Sequence, residues 1–195
     1  RASAPVAGVP VDATAVHDSL YDWQVEIVQW AASVGRAAIW ADTGLGKTRM
    51  QVEWARLVID GGRALIVAPL AVCAQTVREA NTIGVPATYV RDQSEISTPG
   101  VFVTNYEMVE RFDPDILNAV VLDEASILKQ SAGKTRTLLI EHFRDVPYRL
   151  ACTATPAPND PEELTNQAEF LGVMSRVNML AAYFVHDQDG WRPKG

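Results

Sequence analysis

Two short stretches of this chain carry residue types able to handle a phosphate chain. The first is Ala41-Asp-Thr-Gly-Leu-Gly-Lys-Thr48. Gly44 and Gly46 allow backbone angles closed to other residues, so successive amides can turn together toward an anion. Lys47 brings a cation to the terminal phosphates, Thr48 offers a hydroxyl to Mg²⁺, and a helix starting here adds its dipole. Thr43, Gly44, Leu45, Gly46, Lys47 and Thr48 are therefore the candidate ATP-binding residues. The second stretch, Val120-Val-Leu-Asp-Glu-Ala-Ser126, is an apolar run ending in two carboxylates. Asp123, with Thr48, would hold Mg²⁺, and Glu124 would orient or deprotonate the attacking water. Lys47, Asp123 and Glu124 are the catalytic candidates. Taken singly, each stretch has a plainer reading, as a glycine turn before a helix or a solvated acidic turn. In this order, about 75 residues apart, they read together as a site for magnesium-bound triphosphate. Gly133-Lys134-Thr135 repeats part of the first pattern, but no strand precedes it and Leu128 holds the first glycine position. It reads as a helix start.

Such groups must be carried to one edge of a sheet. Short apolar runs at 37–40, 64–68, 88–90, 101–104, 119–122 and 149–153 alternate with amphipathic stretches at about 47–60, 70–81, 134–144 and 161–171. Continuous apolar strands separated by helices predict a parallel sheet covered on both faces, an α/β fold of three layers. Helical periodicity begins at Leu20, with Trp23, Ile27, Trp30 and Ala31 following at steps of three and four, and Trp30 is expected in the core. Residues 1–16 read as a tail or linker, 17–174 as the domain, and 175–195 as a helix leading into an exposed loop.

The net charge is −7, which excludes a protein that grips nucleic acid by a diffuse basic field; any such contact must be local. No apolar run approaches the ~20 residues of a membrane span, and the first twenty residues lack a signal-peptide pattern. The chain begins with Arg1, as a fragment or processed product does. Cys73 and Cys152 lie outside any CxxC spacing and read as buried thiols of a reducing cytoplasm. His17, His142 and His186 form no metal-ligand pattern. The expected location is cytoplasmic, with no membrane partner.

The order of these motifs resembles that of superfamily-two helicases, and within them the Swi/Snf-like double-strand translocases. Leu20-Tyr-Asp-Trp-Gln24, with Trp30, resembles the Gln-containing nucleotide motif, and 41–48 resembles motif I, where Ala41 in place of Gly is ordinary. Asp123-Glu-Ala-Ser126 with Lys129 resembles motif II. Thr153-Ala-Thr-Pro156 with Asn159, then Glu163-Leu164 and Phe170-Leu171, resembles motif III and its helix. Ser126, where DEAD-box enzymes carry Asp, argues against that RNA-directed branch. The run Ala154-Thr-Pro-Ala-Pro-Asn-Asp160, followed by Asn166-Gln-Ala-Glu-Phe-Leu-Gly-Val-Met174, resembles the bacteriophage and prophage version.

The resemblance implies a RecA-like domain, the first of two, using ATP and Mg²⁺ and acting on nucleic acid, DNA foremost. It implies that Gln24 bonds the adenine edge, with Tyr21 and Trp23 near the base or in the core, and that Thr153 and Thr155 relay the γ-phosphate to the nucleic-acid side. Pro69, Thr104 and Asn105 stand where motifs Ia and Ib would meet phosphates, with Arg78, Arg91 and Lys129 as further candidates; Arg49 reads as a surface helix residue. After motif III only Arg176 and Arg192 remain, neither in the pattern of an arginine finger. The isolated chain is thus expected to bind ATP weakly and hydrolyse it slowly. The leading reading is the ATP-binding half of an ATP-dependent DNA helicase or translocase. Its rivals are a non-catalytic nucleotide- and DNA-binding module of a larger complex, and a P-loop kinase, for which no arginine-rich lid is present.

Overall fold

The computed structural model describes residues 6–130, 134–156, 163–187 and 190–194. Helix α1 (Asp22–Val34) leads into strand β1 (Arg36–Trp40), then α2 (Lys47–Val58), β2 (Arg63–Ala68), α3 (Leu70–Thr82), β3 (Ala87–Tyr89), β4 (Gly100–Asn105) and β5 (Ala119–Asp123). Two helices, α4 (Ile127–Gln130) and α5 (Lys134–His142), precede β6 (Tyr148–Thr153). Helices α6 (Glu163–Leu171) and α7 (Arg176–Tyr183) and a hairpin of β7 (Phe184–Asp187) and β8 (Gly190–Pro193) follow. The first six strands form one parallel sheet in the order β1-β6-β5-β2-β4-β3. The expected α/β class and the six expected strands are all present.

Alternation along the strands divides the core in two. Ile39, Ile66, Val103, Val121 and Leu150 point to one face, where they meet Val28 and Ala31 of α1, Met50 and Trp54 of α2, and Cys73 and Ala80 of α3. Leu65, Val67, Phe102, Val120, Leu122 and Ala151 point to the other, against Leu128, Leu139, Phe143 and Phe170. With both faces covered, the central strands contain no solvent-facing positions, which is why 119–122 reads as an unbroken apolar run rather than an alternating one. The three layers follow directly. The topology also sets the spacing of the chemistry: the turn after β1 and the acidic end of β5 are separated by β6 alone, so all three strands deliver their C-terminal ends to one crevice.

Three expectations need correction. Trp30 is not core: it is 51% exposed, because the buried stripe of α1 runs through Gln24, Val28, Ala31 and Ala32 and leaves Trp23 and Trp30 on the outer side. The stretch read as a tail is held from residue 6 onward. The Val9 amide donates to the Ala32 carbonyl at 2.9 Å, Val9 and Val11 pack on the core, and Val16 is buried. The loop expected after residue 185 is the antiparallel β7–β8 hairpin, whose Lys194 ammonium donates to the carbonyls of Ala181 and Ala182 at the end of α7. Lys134 opens α5, as the helix-start reading of the second Gly-Lys-Thr requires, while Gly133, Asn159 and the side chains of Lys129 and Glu163 lie outside the described residues. Among the described residues no helix is long and apolar enough to cross a membrane.

Candidate nucleotide site

At the C-terminal ends of β1 and β5 lies a cleft of about 940 Å³, lined by 42–49, Asp123 and Glu124 together with Tyr21, Trp23, Gln24 and Pro69. The stretch after β1 turns back through Gly44 at φ 85° and Gly46 at φ 71°, both in the left-handed region that side chains disfavour. Gly46 is the N-cap of α2, and no side chain caps that helix start. The helix therefore presents its first amides to the cleft, with Lys47 and Thr48 as its first two residues. Gly46 has a second reason to be glycine. A Cβ there would stand 2.4 Å from Gln24 Nε2.

That contact reflects how Gln24 is used. It is 2% exposed; its Oε1 accepts from the Tyr21 amide at 2.9 Å and its Nε2 donates to the Leu45 carbonyl at 2.9 Å. Gln24 thus caps the start of α1 and ties it to the glycine turn, while still lining the cleft. Tyr21 and Trp23, at 69% and 41% exposure, border the cleft rather than the core.

Asp123 and Glu124 divide the work of the acidic end. Asp123 is buried and accepts on Oδ1 from Gln51 Nε2 at 2.7 Å. Burial raises its pKa above the ordinary aspartate range, opposed by the Gln51 hydrogen bond and then by the Lys47 charge. Lys47 therefore acts on Asp123 across the cleft, and the two motifs meet. Glu124 adopts φ 59°, unusual for a residue with a side chain. That turn is held by the Ala125 N–H, which donates to the Cys152 carbonyl at 2.7 Å, by the Tyr106 hydroxyl, which donates to the Asp123 carbonyl at 2.6 Å, and by the Glu124 carboxylate itself. On Oε1 the carboxylate accepts from Ser126 Oγ at 2.6 Å and from Thr153 Oγ1 at 2.8 Å. Thr153 Oγ1 in turn accepts from the Thr155 amide at 3.1 Å. The Thr155 side chain is exposed. The acidic turn at 123–126 and the end of β6 with Thr155 are thus one hydrogen-bonded unit. Both thiols are buried, and burial pushes Cys73 up to about 11 and Cys152 higher still.

The donor set suits the expected ligands. A helix start with open amides, two left-handed glycines and a lysine fit a phosphate chain, and the Thr48 hydroxyl with the Asp123 carboxylate offers the hard oxygens that Mg²⁺ takes.

At the residues expected to meet nucleic acid the structure departs from expectation. Thr104 is fully buried and its hydroxyl donates to the Val90 carbonyl at 2.8 Å. Asn105, also buried, accepts from the Glu107 amide at 2.9 Å and donates to the Tyr89 hydroxyl at 2.7 Å. These two side chains close the end of β4 and do not present to solvent, so the phosphate contact expected of them is replaced by internal capping. Pro69 lines the nucleotide cleft instead. Arg78 and Arg91 are exposed, and Arg49 also borders the cleft. The residues that sequence reasoning missed are Gln51 and the hydroxyl of Tyr106. Both look like ordinary polar positions until the sheet brings Asp123 to them.

The raised pKa of Asp123 has a measurable result. Its folded value lies above its unfolded one, so the empty protein gains stability as pH falls through the folded value and lacks that gain at neutral pH. Asp123→Asn, whose amide oxygen still accepts from Gln51, should raise the thermal midpoint of the nucleotide-free protein at pH 7, with the advantage shrinking on acidification. Calorimetry across pH reads this, and a midpoint lowered at every pH contradicts it.

Comparison with known proteins bears on this geometry. The family model described as SNF2-related domain matches residues 17–179. Over 181 residues the chain is 28% identical to the ATP-dependent helicase brm of Drosophila melanogaster, covering 80% of this chain and 11% of that protein. Over 211 residues it is 29% identical to the chromodomain-helicase-DNA-binding protein 3 homolog of Caenorhabditis elegans, covering 85% and 12%. Among solved structures it resembles the Sulfolobus solfataricus SWI2/SNF2 ATPase core in complex with dsDNA, with a TM-score of 0.73 at 20% identity over 90% of this chain and 41% of that one. The chain therefore spans about a tenth of the curated relatives it matches.

Proposed function

The chain belongs to the SNF2-related domain family, and from that premise we propose that it is the ATP-binding half of a DNA translocase or helicase. One observation carries the reading: Lys47 and Thr48 line the same cleft as Asp123 and Glu124, and Glu124 shares its carboxylate with Thr153 of the next motif. In this reading the amides of 43–48 and Lys47 bind the phosphates, and Thr48 and Asp123 hold Mg²⁺. When held there, the cation would supply charge neutralisation for the phosphates. Glu124 accepts a proton from the attacking water. Gln24, with one amide hydrogen and one lone pair beyond its internal bonds, meets the adenine edge. Thr153, hydrogen-bonded to Glu124, senses whether the γ-phosphate is present, and Thr155, whose backbone N–H donates to Thr153 Oγ1, passes that state on.

The partner we assign is duplex DNA, supported by the relative solved in complex with dsDNA. With a net charge of −7, DNA is held locally, by loop amides and helix starts. A second RecA-like domain, supplying an arginine to the γ-phosphate, completes the site in this reading. The bacteriophage-type variant rests on the runs 154–160 and 166–174 alone, and a cytoplasmic location accompanies it. The non-catalytic binding module is the alternative. ATP turnover by this chain joined to its second domain, with and without duplex or single-stranded DNA, separates the two. Stimulation by duplex DNA is expected, with the chain alone slower by about 10³-fold for want of the arginine. Turnover indifferent to DNA contradicts the motor, and fast DNA-stimulated turnover by the chain alone contradicts the need for a second domain.

A further inference from the structure

Gln51 follows Lys47 by one turn of α2, which places both on the side of the helix that faces β5. Its side chain is fully buried at 0% exposure. Nε2 donates to Asp123 Oδ1 at 2.7 Å, and Oε1 is buried with no hydrogen-bond partner among the described residues. An amide that leaves its oxygen unpaired in the interior is a poor core residue; leucine of similar volume would fill the same space without that cost. What the amide does achieve is local. The last torsion of an aspartate is broad and nearly two-fold, so an unrestrained carboxylate samples many orientations. A donor fixed on a rigid helix selects one.

We propose that Gln51 is a positioning residue for metal binding: its amide fixes the rotation of the Asp123 carboxylate so that the group meets the magnesium of MgATP already aligned. The inference rests on the reading of Asp123 as a magnesium ligand. Partners that orient a ligating carboxylate commonly matter about ten- to a hundredfold to metal affinity. Gln51 never touches the nucleotide in this role, so its loss acts on the metal-dependent part of binding alone.

The test measures affinity of the protein for a non-hydrolysable ATP analogue, once with Mg²⁺ and once with EDTA. Wild type binds more tightly with Mg²⁺. Gln51→Leu should lose about tenfold or more of that increment while its affinity in EDTA is unchanged. Gln51→Met, also apolar and unbranched, should do the same, and serves if the leucine variant does not fold. In an Asp123→Ala background, Gln51→Leu should have no further effect on the Mg²⁺ increment, since the group it orients is gone. An equal loss with and without Mg²⁺ would mark Gln51 as merely structural and overturn the proposal, as would an unchanged increment. If wild type itself shows no Mg²⁺ increment, the magnesium role of Asp123 fails, and this inference falls with it.

Discussion

Under the proposed function, replacing Lys47 with Ala should reduce ATP turnover of this chain joined to a second RecA-like domain by at least about a hundredfold while leaving the fold intact. Lys47 is half-buried at the first position of α2 and its ammonium borders the cleft, so truncation opens no void in either core layer. Surface-side changes of this kind usually stay within about 0.5 kcal/mol of wild type. The electrostatic loss is larger. Lys47 is the lysine among the residues lining the cleft, and its charge opposes the burial that raises the pKa of Asp123. Without it the phosphates lose their nearest cation and Asp123 holds its proton to higher pH, so nucleotide and metal sites weaken together. Phosphate release and nucleotide affinity, measured beside DNA binding, distinguish the two functions. If turnover disappears while DNA binding persists, the motor reading stands; if the biological activity survives the substitution, the binding module gains.

Glu124→Gln should give the opposite partition. Turnover should drop by about 10³-fold with ATP affinity near wild type. The change is nearly isosteric, and an amide oxygen in place of Oε1 still accepts from Ser126 and Thr153. The bonds from Ala125 and Tyr106 that hold the left-handed turn are untouched. What disappears is the basic site for the proton of the attacking water. Single-turnover chemistry, measured at saturating ATP, would show the defect in the rate and not in the dissociation constant. Retained turnover would remove Glu124 from the chemistry and leave it a role only in linking the acidic turn to Thr153. The two variants together separate holding the phosphates from activating the water.

How much of this was legible in advance varies with the range of the interaction. The strands and main helices were visible because both faces of the sheet are covered, so residues such as Val120, Val121 and Leu122 had to be apolar without alternation. The glycine turn was visible because its conformation is a property of Gly44 and Gly46 themselves. The orientation of single side chains was not. Thr104 and Asn105 stand at the end of an apolar strand, where phosphate contact was expected, yet β3 and the residue after it supply Tyr89 and Val90 as nearer partners. Trp30 falls at helical spacing with Trp23, but aromatic spacing alone cannot say which side of α1 meets the sheet, and smaller residues took that side.

The local conformations and the residue types able to bind a magnesium triphosphate are written in short stretches, 41–48 and 123–126, because each depends on neighbours in the chain. The meeting of those stretches depends on the strand order β1-β6-β5, and so do the Gln51–Asp123 bond and the Glu124–Thr153 bond, which join residues 72 and 29 positions apart. Only the folded sheet decides such contacts: which buried donor finds which carboxylate is set by packing and register, neither of which leaves a periodic trace in the sequence.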